Sequence, residues 1–256
     1  MPLPLLISTI RIVCTLASAL IAVRLYRSRL FRRYPALFAY MVFHVPFDIF
    51  PLVLKTTSPA YFWFWCVSFL FVWALNILVV RELCRVVLER HRGLYTLGRW
   101  VMYGGVAASG VLTFLSLLPR INSTLPARSR LLWYALAADR GIGLGLAIFL
   151  LLMLFAVSRY PVRLSRNILL NAFVFTAYYL ANTLVSLLLV VFDLRVAKTV
   201  DAAMSILSAA CMVVWFFCLT PAGEQTKVEL IHFGADYERR VLNRLDSLNR
   251  VLQRAA

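Results

Sequence analysis

Seven runs of about twenty apolar residues, separated by short polar segments, constrain this chain more than any other feature of its sequence. They cover residues 3–23, 36–54, 60–80, 100–118, 131–157, 168–192 and 200–219. In lipid an unpaired backbone N–H or C=O finds no water. A spanning segment therefore closes its hydrogen bonds within a helix, and about 20 residues cross the hydrocarbon layer. Hydrophobic residues make up 62% of the chain, against roughly 45–50% in a soluble domain, and one soluble core of this size cannot bury that excess. The expected fold is all-α: a polytopic integral membrane protein with a seven-transmembrane-helix bundle over residues 1–221. A cytoplasmic amphipathic or coiled-coil C-terminal helix over 222–256 is expected to follow. The second run holds Pro46 and Pro51, and a kink is expected at Pro46.

The positive charges set the orientation. Only 15% of residues are charged, yet the net charge is +16. The basic residues sit in short segments between apolar runs, which points to a lipid bilayer as partner and away from nucleic acid. With the N-terminus outside, 19 of the 27 lysines and arginines fall in the inner segments, and the C-terminus is cytoplasmic. Arg24, Arg27, Arg29, Arg32 and Arg33 follow the first run instead of preceding it, so that run reads as a retained helix and not a secretory signal. Tyr61, Trp63, Trp65, Trp133 and Tyr134 would form an outer aromatic belt, and Tyr26, Tyr34, Tyr95, Trp100, Tyr103 and Tyr160 an inner one. The five cysteines lie in or beside apolar runs and show no disulfide or metal-ribbon spacing. Short loops and this charge bias point to a bacterial inner membrane. Asn122, Ser123 and Thr124 form a glycosylation sequon in an expected outer loop.

Residues 81–90 keep helical spacing past the third run and read as a solvated extension, with Arg85 and Glu89 one turn apart and Gly93 as a stop. Near the C-terminus, Val241, Leu245, Leu248 and Leu252 recur at helical spacing between polar residues. Three readings of this tail stand open: it lies on the inner leaflet, pairs with a second copy as a homodimer, or docks a cytoplasmic partner.

Polar residues inside a bilayer are costly and face a bundle interior or a water-filled cavity. At 1.5 Å per residue, Arg11, Asp48, Asp139, Arg140 and Asn182 fall in the outer half, with His44 one turn from Asp48 and Asp193 and Asp201 at the outer surface. They form a candidate ligand or ion cavity, or a structural ion-pair network. His44 and Asp48 share a helix face, as paired zinc ligands do, and a metal reading would complete the set with Asp139 or Asp201. Some seven-helix membrane hydrolases add a histidine pair on the last helix. Here His91 and His232 fall on the cytoplasmic side.

Close helix packing is expected where small residues repeat. Gly141-x-x-x-Gly145 on the fifth run faces Gly104, Gly105, Ala108, Ser109 and Gly110 on the fourth, so these helices either pack together or mediate a dimer. Asp139 lies about 200° around its helix from Gly141 and points elsewhere.

No mid-membrane lysine on the last helix suits retinal, and no outer histidine serves Ser109 as a base. No cofactor motif is present. The leading functional expectation is non-enzymatic: a seven-helix sensor or signalling-coupled protein with an outer polar cavity and output through the C-terminal helix. A metal-dependent membrane enzyme, a proton-coupled transporter and a structural subunit of a membrane complex are the alternatives.

Overall fold

The computed structural model of the protein describes residues 3–53, 58–88, 92–117, 127–159, 164–192, 197–225 and 227–228, together with Asn243 and Ser247. Each apolar run forms one helix: α1 (Leu3–Arg27), α2 (Pro35–Val53), α3 (Pro59–Val87), α4 (Arg92–Leu117), α5 (Ala127–Arg159), α6 (Arg166–Phe192) and α7 (Ala197–Cys218). A 3-10 turn (Leu30–Arg32) links α1 to α2. A short helix, α8 (Pro221–Gln225), follows α7, and the two-residue strand β2 (Lys227–Val228) pairs antiparallel with β1 (Leu164–Ser165).

Four helices contain segments long and apolar enough to cross a membrane: Thr9–Arg27, Pro59–Val87, Trp133–Ser158 and Arg166–Val185. Shorter apolar helical segments cover Pro35–Phe50 in α2 and Ala202–Cys218 in α7. In α4, Gly98, Gly104, Gly105, Gly110 and Arg99 dilute the apolar character, and it falls in neither set. Exposed apolar residues such as Leu16, Trp63, Leu112, Phe155 and Phe217 agree with helices that face lipid.

Local chemistry sets several helix ends. Ser58 caps α3, its hydroxyl accepting from the Ala60 N–H at 3.2 Å, with Pro59 in the first turn where its missing N–H costs nothing. Arg29 adopts left-handed backbone angles (φ 58°, ψ 12°) at the turn between α1 and α2. α2 stays helical through Pro46.

The helices form a ring in which α1 lies between α2 and α7, and α6 lies between α5 and α7. α3 touches α2, α4, α5 and α6, and α4 packs along α5 at the outside. One end of the bundle holds the C-termini of α1 and α3 and the start of α2, with Arg24, Arg27, Arg29, Arg81 and Arg85; we call it the basic end. Among the described residues, the largest fully buried side chains occupy the basic half and the middle. They include Leu25, Tyr34, Met41, Leu83, Phe175 and Trp215.

Three expectations need correction. The start of the extension after the third run is solvated on one face only: Arg81 and Arg85 are exposed, but Glu82, Leu83, Cys84, Val86 and Val87 are buried, because α2 begins against this segment. Gly93 does not end α3. That helix closes at Val87 and Leu88, and Gly93 belongs to the first turn of α4. Tyr34 does not face lipid as a belt residue would, being 1% exposed with its hydroxyl taken by Glu224. The tail residues Val241, Leu245, Leu248 and Leu252, the sequon, Glu89, His91, His232, Tyr160, Asp193 and the side chain of Asp201 lie outside the described residues.

Candidate functional site

The carboxylate of Asp139 on α5 ties three helices together. One oxygen accepts from the Trp73 indole N–H of α3 at 3.0 Å, and the other accepts from the Asn182 amide of α6 at 2.9 Å. A carboxylate away from water is tolerated only when such donors replace its hydration. The helix geometry behind this placement is legible. Gly141, two residues on, faces α4, where an added Cβ would stand 2.8 Å from the Gly110 Cα. The Ser109 hydroxyl of α4 donates to the Gly141 carbonyl at 2.7 Å across the same contact. Gly145 continues that contact against Val106 and the backbone of Gly105. On the opposite side, Gly143 lies one turn from Asp139, and a Cβ there would sit 3.5 Å from Thr183 and 3.7 Å from Asn182. A larger residue at 143 would crowd the helix face that brings Asn182 to the carboxylate.

A second polar group joins α1 to α2. Arg11 of α1 lies within electrostatic reach of Asp48 of α2. His44, one turn before Asp48, packs its ring 4.4 Å from that of Tyr40 and 5.7 Å from that of Phe47. Its Nε2 is buried without a hydrogen-bond partner. Tyr178 of α6 lies in electrostatic range of both Asp139 and Asp48 and hydrogen bonds with Ser208 of α7. Nearby polar pairs line the interior. The Tyr179 hydroxyl donates to the Asn76 carbonyl oxygen at 3.2 Å, and the Trp215 indole donates to that of Asn171 at 2.8 Å. The Asn171 amide nitrogen and the Thr183 hydroxyl are buried without a partner.

Of the residues expected in the outer cavity, the structure joins Asp139 directly to Asn182 and brings Arg11 towards Asp48. Arg140 is buried on α5 (9% exposed). His44, Asp48 and Asp139 do not converge as a metal site: among the described residues no group of three or more His, Cys, Asp or Glu side chains does. Their helices place them in separate groups, with Asp139 turned to α3 and α6. Sequence reasoning missed Trp73 and Tyr178. An aromatic residue in an apolar run gives no sign that its N–H or O–H is used. Trp73 does lie three residues before Asn76, on the same face of α3, and that spacing was the available signal.

A third network closes the basic end. The Tyr34 hydroxyl donates to Glu224 Oε2 at 2.6 Å, and the Ser165 hydroxyl donates to the same oxygen at 3.2 Å. Arg33 Nε stands 3.6 Å from Glu224 Oε1. The Asn167 amide donates to the Thr220 carbonyl at 2.8 Å. Gly223 packs so closely on Asn167 that any Cβ there would collide with its side chain. Burial, and then the bond to Glu224, push the Tyr34 phenol above its usual value of 10.0, so it remains a donor at neutral pH. Separately, Glu82 of α3 accepts from the Ala36 N–H at 2.6 Å and the Leu37 N–H at 3.4 Å, capping the first turn of α2 from another helix. The contacts of Thr220, Gly223 and Glu224 fasten residues 220–224 to the feet of α2 and α6.

No protein family, curated protein or solved structure matches the chain.

Proposed function

We propose that this protein is a seven-helix membrane sensor with its N-terminus outside and its C-terminus in the cytoplasm of a bacterial inner membrane. A small polar ligand or ion enters between the helices and acts on the Asp139 and Asp48 groups. The observation that carries this reading is the arrangement around Asp139. One carboxylate bonds to α3 and α6, and Tyr178 lies within electrostatic range of both Asp139 and Asp48. Nearby donors and acceptors without partners, His44 Nε2 and Thr183 Oγ1, are groups a polar ligand can satisfy.

A ligand moves a conformational equilibrium only as far as it prefers one state. Competition for the Asp139 carboxylate supplies such a preference, because a bound cation or donor replaces Trp73 or Asn182 and loosens the tie between α3, α5 and α6. The Glu224 network supports an output route, since it binds the start of the C-terminal segment to α2 and α6. The reading of seven spans takes the four long apolar helices, the two shorter ones and the 26-residue α4 as one span each, and the grouping of arginines at one end supports their common orientation.

The test is a thermal-stability screen of the detergent-purified full chain against sodium, potassium, polyamines and zwitterionic amino acids. At least one probe should raise the melting temperature of the wild type and leave Asp139→Asn unmoved. A shift of equal size in Asp139→Asn and Asp48→Asn would refute the proposed site. A panel that moves neither wild type nor variants would favour the purely structural network. The transporter alternative has its own signature, pH-driven flux in liposomes that disappears in Asp139→Asn.

A further inference from the structure

An open groove of about 220 Å³ runs between α1 and α7, lined by Val13, Ala17 and Leu20 on one side and Val213 and Phe217 on the other. Its remaining lining side chains, Leu16 and Phe216, are apolar too. Beneath it the two helices meet where the Ser18 hydroxyl approaches the Met212 sulfur at 3.6 Å. The groove exists because Ala17 is small between the larger Val13 and Leu20, which stand about half exposed.

The same helical stripe ends in charge. Val13, Ala17, Leu20, Arg24 and Arg27 follow spacings of four, three, four and three, so both arginines lie beyond the groove on its own face. Arg24 is held there: its guanidinium lies 5.5 Å from the Phe216 ring centroid, and one nitrogen donates to the Phe216 carbonyl. A guanidinium has five N–H donors, so others remain for a second acceptor. Arg27 is exposed. The acids described at this end are already engaged, Glu82 on the start of α2 and Glu224 on Tyr34 and Arg33. The mouth of the groove is therefore positive beside a wholly apolar channel.

We infer that the α1–α7 groove binds an anionic phospholipid, one acyl chain lying between Val13, Ala17, Leu20 and Phe217 and its phosphate resting on Arg24 and Arg27. A free phosphate would leave the channel empty, and a zwitterionic lipid would bring a cation to the arginines. The match is to a molecule that is apolar along its length and negative at one end.

Native mass spectrometry of the full chain tests this with dioleoyl phosphatidylglycerol, dioleoyl phosphatidylcholine and soluble glycerol phosphate as probes. Phosphatidylglycerol should be retained over phosphatidylcholine, by about fivefold for each arginine in contact. R24K/R27K should keep that preference, and R24Q/R27Q should abolish it. R27Q alone, at an exposed position that supports no described contact within the bundle, should lose about fivefold. A17W, which fills the groove and leaves the arginines, should reduce retention of both lipids. Equal retention of the two lipids, an unchanged preference in R27Q, full retention in A17W, or glycerol phosphate binding as well as the whole lipid would each overturn the inference.

Discussion

Replacing Trp73 by Phe removes one N–H from the Asp139 carboxylate and keeps most of the ring that packs between helices. Interhelical hydrogen bonds in membranes are worth ~0.6–2 kcal/mol, and bonds to a charged acceptor lie towards the upper part of that range. Trp73→Phe should therefore cost ~1–2 kcal/mol. Asp139 holds its two donors on different oxygens, so loss of the Trp73 bond leaves the Asn182 bond in place. The decisive comparison is in an Asp139→Leu background. There the indole N–H has already lost its acceptor, and a buried donor without a partner is itself unfavourable. Trp73→Phe in that background should be neutral or stabilising. Unfolding in mixed micelles, followed by far-ultraviolet circular dichroism, gives the four free energies of the cycle. An equal cost of Trp73→Phe in both backgrounds would show that ring packing carries the effect, and the account of Asp139 as the tie between α3 and α6 would be wrong.

Gly141→Leu should force α4 from α5, since even a Cβ at this position would stand 2.8 Å from Gly110, whereas Gly104→Ala, with nothing within 4 Å, should be nearly silent in the same unfolding assay. Glu82→Ala strips both acceptors from the first turn of α2 and should cost ~0.5–2 kcal/mol, the range of a lost helix cap. Hydrogen exchange should rise first at Ala36 and Leu37. The raised phenol of Tyr34 contributes stability that is fully present below about pH 10 and is lost as pH climbs above it, because the unfolded chain releases that proton first. The alkaline fall in stability should be shallower in Tyr34→Phe than in wild type, and identical slopes would remove Tyr34 from the account.

Much of the helix layout was legible because lipid leaves the backbone so few options. Each apolar run became one helix, and the boundaries moved where a polar segment was still helical, as at residues 92–99 of α4. The contact between Gly141 and Ser109 was legible for a related reason: small residues at a four-residue spacing mark where backbones approach. The turn of Asp139 away from Gly141 followed from helix geometry alone, and α3 and α6 occupy that side. What stayed hidden depended on partners far apart in the chain. Glu82 caps residues 36 and 37 from across the bundle, and Glu224 meets Tyr34 across most of the sequence. Spacing along one helix carries no information about either encounter. Trp73 and Tyr178 were hidden by their own chemistry, since each has an apolar body and a single polar atom.

The uneven distribution of buried bulk has a mechanical consequence. Interlocked side chains such as Trp215, Phe175, Tyr34 and Leu83 resist relative movement, and they fill the basic half and the middle of the bundle. In a rocking motion of the helices, that part would be the fulcrum. A tilt of a few degrees about it displaces the far end of a helix about 30 Å long by one or two ångström. Asp139 and Asn182 lie 20 and 16 residues from the basic ends of α5 and α6, beyond the buried Leu146 and Tyr179, where the lever arm is longer. Their hydrogen bonds, about 3 Å long, are the ones such a rocking motion would stretch and break first, while the clasp at Glu224 turns with the pivot and holds.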